Sequence, residues 1–410
     1  MRTQSKEQLP RSVIFASFLV ALLVDVKSVN YVYGAILGTE GDGFTSLLFP
    51  FIAVASLLTC MVQRRSLLKE VNPLVWVLSV FIMGFYFYTT QTIATPRVPL
   101  PFLLGFTILA FIIPSLLTID TCTTLKAIMV IPAVGVFWLK SVFVPEEENE
   151  LGLISMMRSY AFLVPVLANI LYIMLYYKRD TTVQRRFILI LSIVNAIYLY
   201  QIMKYGSRGP FFCIISLIVF NWLVKKDDMG RIRWNAGKNL TFGVVAISLV
   251  LFFREIMIGL STFLHLFGLH LNVIDKYVRK AVEIDDMTNG RAALTARCLE
   301  DIPEHPFVGH GMDTFEHFTG IIYPHNFILQ IFYDGGFLLT GILLIPVVWS
   351  MLKKIRFGRR ETYALTLFLL FFSVPGALMS TDLWQNERLW IFFGAMLSST
   401  FIYKGNKAKK

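Results

Sequence analysis

The chain has 410 residues, 56% of them hydrophobic and only 16% charged, with a mean hydropathy of +0.63. A water-soluble fold carries roughly a quarter charged residues, so this composition excludes a soluble globular protein and leaves a membrane protein. The net charge of +11 raises nucleic acid as a partner, a reading that depends on where the charges fall. Cys60, Cys122, Cys213 and Cys298 are single and far apart, which excludes a disulfide scaffold and leaves no CxxC for metal or redox work.

Apolar runs approaching the roughly 20 residues that span a bilayer recur along the chain. They predict helices at about 12–36, 44–62, 73–90, 101–118, 125–144, 159–177, 186–203, 210–224, 239–253, 325–350, 361–380 and 388–403. Asp25 and Lys27 interrupt the first run. Its opening follows Arg2, Lys6 and Arg11 and has no small-x-small cleavage site after it, which reads as an uncleaved signal anchor.

The connecting segments assign the two faces. With both termini in the cytoplasm, 25 of the 38 Lys and Arg fall inside and 20 of the 27 Asp and Glu fall outside. The inner segments then carry a net +18 and the outer ones −7, the positive-inside bias expected of about twelve spans. The basic excess is thus a topology signal, and nucleic acid drops out as a partner. The organisation read from these runs is membrane helices over 1–253, one large outer loop over 254–324, and further membrane helices over 325–410. All six histidines fall in that loop or at its end. The acidic stretch at 145–150 reads as a solvated loop.

Three outer segments carry chemistry. Ser207-Arg208-Gly209-Pro210 opens a helix, where free N–H groups beside an arginine make an anion site and Gly209 admits a close neighbour. Arg208 equally fits a headgroup anchor that snorkels outward. Residues 291–302 read as a short helix stopped by Pro303, with Leu294, Cys298 and Ile302 on its buried face. Arg291 shares that face while Arg297 points about 120° away. A buried arginine calls for an anion: a carboxylate such as Glu283, Asp285 or Asp286, or a ligand's phosphate. The glycine-punctuated stretch from Glu304 through His310 to Gly311 follows. Third, Pro324-His325-Asn326 opens the next helix, with Gln330 and Gly335-Gly336 beyond it. The positive end of a helix dipole favours neutral imidazole, the form a general base needs. Capping and interfacial roles are the plainer account of His325 and Asn326, and tight packing that of the glycines. The spacings among His305, His310, His317 and His325 match no metal-ligand pattern, and no Walker A, GxGxxG or GxSxG is present. No metal or cofactor is expected.

Taken in order, Ser207-Arg208-Gly209, Gly290-Arg291 with 305–311, and His325-Asn326 with Gly336 resemble the O-antigen ligase/polymerase family. These are bacterial membrane glycosyltransferases that use undecaprenyl-diphosphate-linked sugars. The resemblance covers about 200–345; many relatives carry an aromatic shortly after the Gly-Arg, where this chain has Ala293, Leu294 and Thr295. It implies an all-α, GT-C-type polytopic bundle in the bacterial inner membrane, with a periplasmic site. It also implies that Arg208 and Arg291 grip the diphosphate and that His325 takes the acceptor's proton. Asn326, Gly209, Arg254, Arg297 and His310 would contact substrate. The implied partners are an undecaprenyl-diphosphate-linked oligosaccharide, the lipid bilayer and a chain-length regulator. Polymerase is the first reading and ligase onto lipid A–core the second. A polysaccharide-lipid flippase is the reading from a different class, although the spans lack its paired mid-membrane charges.

Overall fold

The computed structural model describes residues 9–26, 43–63, 72–136, 153–205, 208–226, 253–270, 291–379 and 382–402, with a few isolated positions between 232 and 278. Its helices are α1 (Arg11–Val24), α2 (Gly43–Gln63), α3 (Pro73–Thr92), α4 (Leu100–Leu116), α5 (Thr121–Val136), α6 (Leu153–Leu175), α7 (Thr182–Tyr205) and α8 (Arg208–Leu223). They continue as α9 (Phe253–Leu266), α10 (Arg291–Asp301), α11 (Phe315–Thr319), α12 (Phe327–Phe357), α13 (Arg360–Met379) and α14 (Glu387–Leu397). Two residue pairs, Lys225–Lys226 and Ile232–Arg233, form a small antiparallel hairpin.

The architecture is a helical bundle of membrane type. Among the described residues, α3, 182–203 of α7, α12 and α13 are long and apolar enough to cross a membrane. The remaining apolar stretches, among them 50–63 of α2 and 159–175 of α6, are shorter. Most of 239–253, the tail of the first run beyond residue 26 and the acidic stretch 145–150 lie outside the described residues.

Helix α13 is the centre. It packs on α6, α8, α12 and α14, and 72% of its apolar window is buried, against 33% for each of the other three. Its exposed-face deficit fits its sequence, which reads apolar all round, as the inner member of a bundle must. Helices α4 and α14 pack closely, as do α6 with α7 and α1 with α5.

Connecting segments meet in two groups, one at each end of the bundle. At one end the Gln63 amide donates to the carbonyls of Ser12 and Thr118 at 3.1 and 2.9 Å. Lys354, in the last turn of α12, donates to the carbonyls of Ala395 and Ser398 at the end of α14. Those carbonyls have no partner within their own helix, and a cation suits the negative dipole end. At the other end Arg97, Asp313 and Asp382 meet, and Thr89 accepts from the Met312 N–H at 2.9 Å.

Candidate functional site

The end at which Arg97, Asp313 and Asp382 meet is organised by a break in α12. Gly336 takes φ 56° and ψ −157°, which no helix tolerates, so the helix stops hydrogen-bonding to itself there. Four backbone groups would be orphaned, and in a membrane bundle each would cost several kcal/mol. The loop 306–311 takes all four. Phe337 and Leu338 donate to the carbonyls of Pro306 and Phe307 at 2.8 and 3.0 Å. In return His310 and Gly311 donate to the carbonyls of Tyr333 and Asp334 at 2.8 and 2.9 Å. A side chain at Gly309 would collide with the Asp334 backbone, and one at Gly336 with that of Phe307. The two glycine clusters seen in the sequence are therefore the two halves of one joint.

His310 belongs to this joint. It is buried, its ring stacks on Tyr333 at 4.3 Å and 10°, and its own backbone fixes it there. Burial, first, lowers its pKa. The structure places it in the packing of the loop, where it holds the loop to α12.

Just before the break, α12 begins. Asn326 is its N-cap: the side-chain oxygen accepts from the N–H groups of Ile328 and Leu329 at 3.0 and 3.3 Å. His325 precedes it with φ +58°. Among the described residues only Asp313 and His325 are non-glycine residues with positive φ, and both lie in the stretch between α10 and α12. Such backbone costs about 1–3 kcal/mol and persists only where its surroundings impose it. The half-buried imidazole lies against the Tyr323 ring, 4.4 Å between centroids. Its pKa is lowered, by burial first and by the nearby Arg291 guanidinium second. Neutral imidazole at pH 7 is thus what the site favours.

Arg291 opens α10, whose buried face carries Cys298, in line with the spacing of Leu294, Cys298 and Ile302. Burial pushes the Cys298 thiol up to about 12, which leaves it an inert packing group. Arg297 lies on the other side of α10, exposed, and pairs with Asp301 one turn on at 3.2 Å. An exposed i,i+4 pair of this kind is a weak one.

The hub that joins these pieces is Tyr160 on α6, which the sequence did not single out. Gly209, on the first turn of α8, has its Cα against the Tyr160 hydroxyl, so that any side chain there would occupy the hydroxyl's space. A Cβ at Gly376 on α13 would stand 3.1 Å from the same ring and hydroxyl. Arg388, buried at the start of α14, lies over the rings of Tyr160 and Phe372 at 5.2 and 4.8 Å, and donates to the Tyr160 carbonyl at 3.3 Å. Arg291, Arg388 and Tyr323 all stand within Coulombic range of the Tyr160 hydroxyl. That hydroxyl is buried and has no hydrogen-bond partner among the described residues. Gly209, Arg291 and His325, from three distant segments, are thereby brought to one place. Arg208 and Arg254 are the first and second residues of α8 and α9; their side chains, with Ser207, Gly290 and the carboxylates at 283, 285 and 286, lie outside the described residues.

Beside this hub is an ionic cluster that sequence reasoning also missed. Arg97 pairs closely with Asp382 and reaches Asp313 and Glu316 at 3.8 and 3.5 Å. Asp313 accepts from the Val98 N–H at 2.6 Å, and Gln330 donates to Asp382 at 3.1 Å while accepting from Leu383 N–H. Trp384 donates to Asp334 at 2.6 Å. One arginine cannot neutralise so many buried carboxylates. Burial first, then Asp382, raises the Asp313 pKa, to about 8, and burial also raises that of Asp382. Single acidic residues scattered along a sequence give no sign that they meet, although an arginine and aspartates next to apolar runs are signals worth following.

Among the described residues one group of histidine and carboxylate side chains, His265, His270 and Asp275, has a donor atom from each within 4.8 Å of the others. No protein-family model matches the chain, and a search of curated proteins finds no match.

Proposed function

We propose that this chain is a membrane glycosyltransferase that polymerises a surface polysaccharide from undecaprenyl-diphosphate-linked units. In this reading about twelve helices span the bacterial inner membrane, the termini are cytoplasmic and the site is periplasmic, in a GT-C-type bundle. The observation that carries the proposal is the meeting of Gly209, Arg291 and His325 around Tyr160 and Tyr323. Cations, a hydroxyl without a hydrogen-bond partner among the described residues and a neutral imidazole at one end of a bundle match what transfer from a lipid diphosphate demands.

The acceptor's hydroxyl oxygen attacks the anomeric carbon of the donor glycan, and the bond from that carbon to the phosphate oxygen breaks. His325 takes the hydroxyl proton. The diphosphate leaves on its lipid, and its growing negative charge is met by Arg208 and Arg291, with Arg388 as a further cation beside them. Asn326 acts by capping the helix and so fixing where His325 stands. Tyr160 offers its hydroxyl to a phosphate oxygen.

Purified protein in nanodiscs, supplied with an undecaprenyl-diphosphate-linked repeat unit, tests this. A ladder of products from that unit alone is the expected result. Product that forms only when lipid A–core is added makes the enzyme a ligase, and movement of the lipid between leaflets without new glycosidic bonds makes it a flippase.

A further inference from the structure

Helix α9 ends at Leu266 in a tight reversal. The N–H groups of Gly268 and Leu269 return to the carbonyls of His265 and Leu264 at 3.0 and 3.1 Å, and Gly268 takes φ +68°. This left-handed glycine cap turns the chain back on the helix end. It sets the ring of His270 against that of His265, 4.5 Å between centroids. Asp275 comes to the same spot, its Oδ1 3.1 Å from His265 Nε2. The Ser261 hydroxyl, one turn before His265, donates to that carboxylate oxygen at 2.9 Å.

We propose that His265, His270 and Asp275 bind a divalent transition-metal ion, with zinc the ion that suits them best. One donor atom from each residue lies within 4.8 Å of the others. Around a tetrahedral zinc with bonds of about 2.0–2.2 Å, ligand atoms stand roughly 3.3 Å apart. Small side-chain rotations therefore complete the set. A His–Asp ion pair accounts for two of the three residues but not for the third. A shared cation explains why both rings face one carboxylate. Two imidazoles and one carboxylate select zinc, nickel or copper over calcium and magnesium, which prefer all-oxygen shells. Ser261 is the outer-shell group that orients the carboxylate. The side chains of His265 and Asp275 are 42% and 31% exposed, so an ion enters from solvent and water fills the remaining coordination position. Bound there, it fastens the end of α9 to residues 274–275 and braces the outer loop.

The test is zinc titration of the full-length protein in detergent after EDTA treatment and removal of the chelator, read by competition with a chromophoric chelator. One zinc ion per chain is expected, with affinity at least tenfold weaker in His265→Ala, His270→Ala and Asp275→Asn, and unchanged in His305→Ala. Thermal melting in EDTA, equal for wild type and variants, certifies that the variants fold. Absence of stoichiometric zinc, or unchanged affinity in His270→Ala, overturns the proposal.

Discussion

Gly209 on α8 and Tyr160 on α6 are in direct contact, the glycine Cα standing where any side chain would displace the tyrosine hydroxyl. That contact ties the arginine-glycine motif at 208–209 to α10, because the same hydroxyl lies within range of Arg291. Gly209→Ala is therefore expected to push Tyr160 off its position. Overpacking of this kind costs about 1–3 kcal/mol. Transfer should fall by at least tenfold while the protein still inserts, as read by thermal melting beside a transfer assay.

His325 is assigned as the base, and its left-handed backbone complicates the choice of variant. Asparagine tolerates positive φ better than most residues and lacks a basic ring. His325→Asn is expected to keep the fold and lose transfer by about 10²–10⁴-fold. His325→Ala, Arg208→Ala and Arg291→Ala should likewise abolish transfer in chains that still insert. Full activity in either His325 variant would remove the base from the mechanism.

The pH profile tests the same group without replacing it. Burial and Arg291 lower the imidazole's pKa below 6.5, so the rate should rise through an acidic limb below that value and be level at neutral pH. Arg291→Gln removes one of the two causes, and the imidazole pKa followed by NMR in that variant should then move upward. An imidazole pKa that stays put in this variant would separate Arg291 from His325.

The Arg97 cluster predicts a pH dependence of stability with the opposite sense. A carboxyl whose pKa is raised by folding contributes stability that is fully present below its unfolded value near 3.8 and is lost as pH rises through the folded value near 8. Wild-type protein should accordingly lose melting temperature between about pH 4 and pH 9. Asp313→Asn, which keeps an oxygen to accept from Val98, should lose less, with a difference of at least about 1 kcal/mol at pH 9. Parallel melting curves for the two proteins across that range would locate the strain elsewhere.

Transfer is expected to survive EDTA, since the chemistry assigned to Arg208, Arg291 and His325 needs no metal. Zinc at His265, His270 and Asp275 would be stripped in the same treatment without loss of turnover. Loss of transfer that a divalent ion restores would put a metal into the reaction.

Much of the scaffold was legible in the chain alone. Hydrophobic length is a local quantity, and among the described residues it gave the positions of apolar helices such as α3, α7, α12 and α13. The spacing of Leu294, Cys298 and Ile302 placed Arg291 on the inward face of its helix for the same reason. Asn326 caps its own helix, the plainer of its two readings, while the pairing of Arg297 with Asp301 and the packing of His310 on Tyr333 were not foreseen.

Only the tertiary structure decided which segments meet. The break at Gly336 and the loop at 306–311 each look like isolated glycine-rich stretches, and their relation lies in four backbone hydrogen bonds exchanged between them. Tyr160 reads as one aromatic in an apolar helix, yet it touches Gly209 and Gly376 and carries Arg388 on its face. Arg97 finds Asp382, 285 residues away, because the segments that follow α3 and α13 pack together. Solvent and lipid preferences act on each segment separately and can be read along the chain. Contacts between segments depend on how their surfaces fit, which becomes definite only when the helices pack.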